Sequence, residues 1–214
     1  MKTILCYGDS NTHGYNCHTG LRFSEEERWP CLLQKHLGDG YRVIEEGLEG
    51  RTTVFDDPLF EGLNGFSYLY PCLMTHKTID LLIIMLGTND VKERFGVNPG
   101  NIAKGMDRLV QKAMDTKIAF RNERPNILIL VPPPIEQGYE LTHVAQEMGR
   151  GCVEKTKALA AEYKVVAKMK GCHFLDAGVL PGVDMYPEDH MHLSLNAHAR
   201  LAEELAARIP GYVG

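Results

Sequence analysis

The chain has no apolar stretch long enough to cross a membrane or to form the core of a signal peptide. After Met1 and Lys2 the first apolar run ends at Tyr7, where Gly8 and Asp9 interrupt it. The expectation is therefore a cytoplasmic chain without a membrane partner. No run of Lys and Arg is present either, and a formal net charge of -5 with a pI near 6.0 leaves no basic field for phosphate backbones. Nucleic acid is not an expected partner. The six cysteines (Cys6, Cys17, Cys31, Cys72, Cys152 and Cys172) contain no CxxC pair, so neither a zinc ribbon nor a redox motif is spelled, and they read as free thiols. No cofactor and no resident metal are expected. No linker, repeat or low-complexity tract divides the 214 residues, which are read as one domain, 1–214.

With 44% hydrophobic and 24% charged residues, the composition is that of an ordinary globular domain. Apolar runs of strand length alternate with helix-like segments, a rhythm that predicts an α/β fold with a parallel sheet. The expected strands are Thr3 to Tyr7, Tyr41 to Glu46, Ile79 to Leu86, Asn126 to Val131 and Cys172 to Asp176. The third is nearly continuous apolar sequence, as a strand covered on both faces should be. Ser24 with Glu27 reads as a capping box for a helix through Leu37, which Gly38-Asp39-Gly40 ends. Asn64 is the expected cap of the helix before strand three, and Asn98-Pro99 starts another. Helices are also expected over Gly151 to Lys170 and Ser194 to Arg208, with loops at Arg121 to Pro125 and Pro132 to Tyr139.

In such folds ligands bind at the carboxyl ends of the strands, and the residues that follow the first three strands carry chemistry. Ser10 follows strand one in YGDSNTHG, Gly50 follows strand two, and Asn89 follows strand three in GTND. The Gly8 to Gly14 stretch has neither GxGxxG spacing nor a GK[ST] ending, and the serine is not in a GxSxG elbow. A serine nucleophile needs a base and a group that orients the base. Asp189-His190-Met191-His192 offers both: the spacing of three lets Asp189 reach the Nδ1 of His192, whereas the adjacent His190 points elsewhere. Acyl transfer also needs donors at the oxyanion, a role open to the Asn89 amide and to the N–H groups of Gly50 and Ser10. Taken singly, each residue has a plainer reading: a cap for Ser10, an Asx turn for Asn89, a turn glycine for Gly50 and solvated charge for DxxH. A metal reading would gather His190, His192 and His198 around Asp189, although HxHx5H is not a recognised ligand spacing.

GDSN at Gly8 to Asn11, a glycine after the second strand, GTND at Gly87 to Asp90 and DxxH at Asp189 to His192 come in the order of the four blocks of the SGNH (GDSL-like) hydrolases. Stretches such as VIEEGLEGRTTVFDDP and DLLIIMLGTNDVK look like the bacterial arylesterase and acyltransferase branch, and the resemblance covers nearly the whole chain. It implies a flavodoxin-like three-layer sandwich on a five-stranded parallel sheet. It also implies a serine esterase for small carboxylic esters, with acyl transfer to alcohols as a second outcome. Ser10, Asp189 and His192 are then the catalytic residues, and Ser10, Gly50 and Asn89 supply the oxyanion donors. Asp9, His13, Tyr15, Glu49 and Phe66 are expected to line the substrate pocket. Glu49 stands where relatives carry small residues, and His13 with Tyr15 stands where they carry tryptophan. Phe55, Leu59, Phe60, Leu63 and Ile135 lie in segments read as loops, where they either serve assembly or fold back on their own core, and the resemblance to a branch with oligomeric members implies a homo-oligomer. A metal-dependent phosphohydrolase and a non-catalytic flavodoxin-like binding protein are the rival readings.

Overall fold

A computed structural model describes all 214 residues. In chain order, β1 (Lys2–Gly8) leads directly into the short α1 (Ser10–His13), followed by a small hairpin of β2 (Tyr15–Asn16) and β3 (Leu21–Arg22). Next come α2 (Trp29–Leu37), β4 (Tyr41–Gly47), α3 (Gly65–Thr75), β5 (Leu81–Met85), α4 (Pro99–Asp115), β6 (Ile127–Val131), α5 (Ala145–Met148), α6 (Cys152–Lys170), β7 (His173–Asp176) and α7 (Leu195–Tyr212). The five longer strands form one parallel sheet in the order β4-β1-β5-β6-β7, a flavodoxin-like arrangement. The chain steps from β1 to the edge and returns to β1's other side, so strand order reverses beside β1. A crevice at the carboxyl ends follows from that reversal.

Both faces of the sheet are covered, which explains the continuous apolar strands. Leu5 and Tyr7 of β1 with Leu82 and Ile84 of β5 pack against α3, α4 and α6 through Leu69, Ile102, Leu109 and Leu159. Ile4 and Cys6 with Leu81 and Ile83 face α2 and α7 through Trp29, Leu33, Leu201 and Leu205. Successive side chains along a strand thus serve opposite cores. Truncating one of these leucines to alanine costs roughly 2–5 kcal/mol.

Several expected boundaries move. Only half of the Ser24–Glu27 box forms: the Glu27 carboxylate accepts from the Ser24 N–H at 3.0 Å, but the Ser24 hydroxyl donates to that carboxylate instead of accepting from the Glu27 N–H, and the segment closes only one turn. The helix proper begins at Trp29, with Pro30 in its first turn, where a missing N–H costs nothing. Strand three pairs only over Leu81–Met85, because Ile79 bridges Phe120 instead of a neighbouring strand. Asn64 caps α3 through bonds from the N–H groups of Phe66 and Ser67, and Asn98 caps α4 with Pro99 at its first position. The last helix runs past Arg208 to Tyr212 through Pro210.

Glycine is required where α1 meets the sheet. Gly8 and Gly47 are paired across β1 and β4, and a Cβ at Gly47 would collide with the backbone of His13. That close approach holds α1, and hence Ser10, against the carboxyl end of the sheet.

Candidate active site

Ser10 is the first residue of α1. Its N-cap is Asp9, whose Oδ1 accepts from the Asn11 N–H at 3.0 Å. Its hydroxyl lies 3.0 Å from Nε2 of His192, and Nδ1 of His192 lies 2.6 Å from Oδ2 of Asp189. The other carboxylate oxygen of Asp189 accepts from the N–H groups of Met191 and His192 at 2.9 and 3.0 Å. Burial alone would raise the Asp189 pKa, but the His192 ring and these two N–H groups outweigh it and bring the carboxyl down to about 2. Asp189 therefore stays charged at neutral pH and fixes a proton on Nδ1. The free Nε2 lone pair is left facing the serine.

Asn11, next to Ser10, ties the two halves of this arrangement together. Its Nδ2 donates to the Met191 carbonyl at 3.2 Å, and its Oδ1 accepts from the Leu193 N–H at 2.9 Å. The Asn11 carbonyl in turn accepts from the Trp29 indole at 3.0 Å. The chain segment that carries His192 is thus pinned directly to α1.

Gly50 and Asn89 come to the same cleft from the ends of β4 and β5. Gly50 has φ +77°, a left-handed conformation, and a Cβ there would lie 2.9 Å from the Leu63 side chain. Asn89 is almost fully buried, and its Nδ2 donates to the Arg51 carbonyl at 3.2 Å. The two loops are also clamped behind the cleft: the Thr53 N–H lies 3.0 and 3.1 Å from the two carboxylate oxygens of Asp90, and the Thr53 hydroxyl donates to the same group. Burial pushes the Asp90 carboxyl up to about 7 against these bonds, and it pushes Asp9 up to about 6.

The cleft holds about 510 Å³. Ser10, Gly50, Asn89 and His192 line its reactive end, with Tyr15 against the imidazole at a ring separation of 4.6 Å. Phe60, Leu63, Val144, Met148 and Met191 form its apolar wall, while Glu49, Glu61, Lys92 and Glu147 make the rest polar. Lys92 is buried and pairs with Glu147 at 2.9 Å, so its charge is compensated.

Three of the five expected pocket residues stand elsewhere. Phe66 does not reach the cleft: it lies on α3, with its ring 3.4 Å from the Lys112 ammonium and 4.3 Å from the Arg108 guanidinium, facing a separate surface depression. Phe60 takes the place expected of it. Asp9 is fully buried as the cap of α1 and offers nothing to the cleft. His13 stands outside the lining and meets Glu49 at 3.4 Å. Tyr15 and Glu49 do line it.

The histidines of the metal reading do not converge. His190 is turned toward Glu136 at 3.3 Å, and buried His198 accepts from the Trp29 N–H through Nδ1 at 3.2 Å. Burial, with the charge of His192 nearby, holds the His198 pKa down at about 3. Among the segments read as loops, Ile135 is buried and Phe55 packs on Phe95 at 5.8 Å, whereas Leu59 and Phe60 are exposed.

Residues 6–200 match the model of the GDSL-like lipase/acylhydrolase family. The fold is similar to that of an aryl esterase from M. smegmatis, at a TM-score of 0.88 and 36% identity over 99% of this chain and 100% of that one. A carbohydrate acetylesterase from Sinorhizobium meliloti is similar at a TM-score of 0.88 and 35% identity, covering 99% of each chain. In sequence, an acetylxylan esterase from Xylanibacter ruminicola is 24% identical over 226 residues, covering 96% of this chain. The chain spans only 42% of that longer relative. No helix is long and apolar enough to cross a membrane. With a family model matched over most of its length, on a five-stranded parallel sheet flanked by helices, the chain belongs to the GDSL-like lipase/acylhydrolase family of esterase-type SGNH hydrolases.

Proposed function

We propose that this chain is a serine esterase for short-acyl carboxylic esters, working through an acyl-enzyme. The observation that carries the reading is the unbroken chain of hydrogen bonds from Asp189 through His192 to Ser10 at the floor of a cleft. In this mechanism Ser10 Oγ attacks the ester carbonyl while His192 Nε2 takes its proton. Asp189 holds the ring and stabilises the imidazolium that forms. The N–H groups of Ser10 and Gly50 and the Asn89 amide stabilise the oxyanion. His192 then returns the proton to the departing alcohol, and water, activated by the same imidazole, releases the acid.

A cleft of this volume with an apolar wall and polar rim suits a short acyl group and a small or hydroxylated alcohol. Acyl transfer to an alcohol belongs to the same reading, because an acyl-enzyme reacts with whichever nucleophile the cleft holds against its carbonyl. Assembly into a homo-oligomer is supported by the exposed side chains of Leu59 and Phe60 beside the cleft. We also place the protein in the cytoplasm, a reading supported by its six free cysteines.

Treatment with a fluorophosphonate and, separately, with a chelator tests the reading. A serine esterase is labelled at Ser10 and is indifferent to the chelator. Loss of ester hydrolysis on chelation, or labelling at another residue, contradicts it.

A further inference from the structure

Cys17 and His18 sit in the hairpin after α1, and Glu188 immediately precedes Asp189. One ligand atom from each lies within 4.8 Å of the other two. His18 Nδ1 and Glu188 Oε1 are already 3.6 Å apart. Around a tetrahedral zinc ion with bonds of about 2.0–2.3 Å, neighbouring ligand atoms stand roughly 3.3–3.7 Å from one another. The His18 ring is held edge-on against Tyr186 at 4.4 Å, which limits its rotation.

We propose that Cys17, His18 and Glu188 form an inhibitory site for a soft divalent cation of the zinc type. Thiolate, imidazole and carboxylate are the ligands such an ion takes, and a water would complete four-coordination. The surrounding charge is favourable, since Glu188 and Asp189 are the charged groups that act on the Cys17 thiol. A second cluster, Glu46, Cys72 and His76, is less suited: the Arg51 guanidinium acts on Cys72, and His76 is already bonded to Glu46 at 2.6 Å.

Burial and the two carboxylates push the Cys17 thiol up to about 12, so the free protein carries S–H there. On binding, the S–H bond breaks, its proton goes to solvent and the sulfur lone pair forms the bond to the metal. No oxidant or reductant is involved, and affinity rises with pH. The bound ion ties the hairpin that carries Tyr15, which packs on His192, to the loop that carries Asp189. It also places two positive charges beside the carboxylate that must stabilise the imidazolium. The inhibition rests on the function proposed above, whereas the binding does not.

Cobalt(II) titration of the full chain tests the site by thiolate-to-cobalt charge-transfer absorption, with zinc as competitor. The expected result is one equivalent bound, with the band lost in Cys17→Ser and binding weakened by about tenfold or more in His18→Ala and Glu188→Gln. Cys72→Ser should keep the band. Persistence of the band in Cys17→Ser, or its loss in Cys72→Ser, overturns the site. Zinc at saturation should lower ester hydrolysis by about fivefold or more in the wild type, reversed by chelator, and in His18→Ala, whose metal-free rate is unchanged, the zinc needed for half-inhibition should rise by about tenfold or more. A zinc-loaded wild type with its full rate overturns the inhibition. Absence of hydrolysis in the metal-free protein instead overturns the esterase reading and leaves the cobalt titration to decide the site.

Discussion

The Asn89 amide donates to the carbonyl oxygen of Arg51 at 3.2 Å, so one side chain both faces the cleft and ties the loop after β5 to the loop after β4. With one N–H so engaged, the amide is held in place before substrate arrives, which is what an oxyanion donor requires. Asn89→Ala should lower kcat by ~10²-fold or more with little change in KM in steady-state ester hydrolysis. A change confined to KM would make Asn89 a ground-state binding residue.

The two histidines of the DxxH segment are turned to different partners, His192 to Asp189 at 2.6 Å and His190 to Glu136 at 3.3 Å. His192→Ala should cut turnover by roughly 10⁴-fold, while His190→Ala keeps most of it. Comparable losses in both variants would contradict the assignment of the base.

Much of this was readable from the residues. Apolar runs marked the three central strands β1, β5 and β6 because a doubly covered strand needs no polar face, whereas the half-buried edge strands β4 and β7 mix apolar with polar residues, and the segments that follow β1, β4 and β5 carried Ser10, Gly50 and Asn89. The Asp189–His192 pair was legible because a spacing of three within one turn is local. Contacts set by the packing of distant segments were not. Asn11 bonds to Met191 and Leu193 some 180 residues away, and nothing near either end announces it beyond the GDSN string itself. Phe66 and Phe60 look alike in a glycine-rich loop, yet capping by Asn64 puts Phe66 on a helix beside Arg108 and Lys112 and leaves Phe60 at the cleft. The hairpin of β2 and β3 went unseen because two residues per strand give no alternation to read.

Asn11→Ala leaves the buried Leu193 N–H without its partner and frees the segment that carries His192. A stability loss of about 1–3 kcal/mol is expected in denaturant unfolding, together with a fall in kcat. Unchanged stability would show that the link is not needed to hold the two segments together.

Asp90 makes stability depend on pH in a definite sense. Its folded pKa of about 7 lies above the ordinary value of 3.8, so the native state keeps a proton that the unfolded chain releases. The group's contribution is full below the unfolded value and is lost as pH rises through about 7. His198, held at about 3, acts in the opposite sense, contributing fully above its ordinary 6.5 and losing that as pH falls. Asp9, raised to about 6 and one of the charges that lifts Asp90, acts in the same sense as Asp90, so the comparison with Asp90→Asn reads Asp90 together with its coupling to Asp9. The variant loses acceptors for Thr53, but its melting temperature relative to wild type should improve as pH rises from about 5 to about 8. A difference that does not vary with pH would contradict the raised pKa.

The most direct test of the account is to trap the acyl-enzyme. Rapid acid quench of the protein during turnover of p-nitrophenyl acetate, followed by intact mass and peptide mapping, should show one acetyl group per chain, located on Ser10. The adduct should be absent from Ser10→Ala, which should also have lost hydrolysis. Acetyl on any other residue, or a Ser10→Ala variant that still turns over the ester at the wild-type rate, would contradict the claim that Ser10 is the nucleophile.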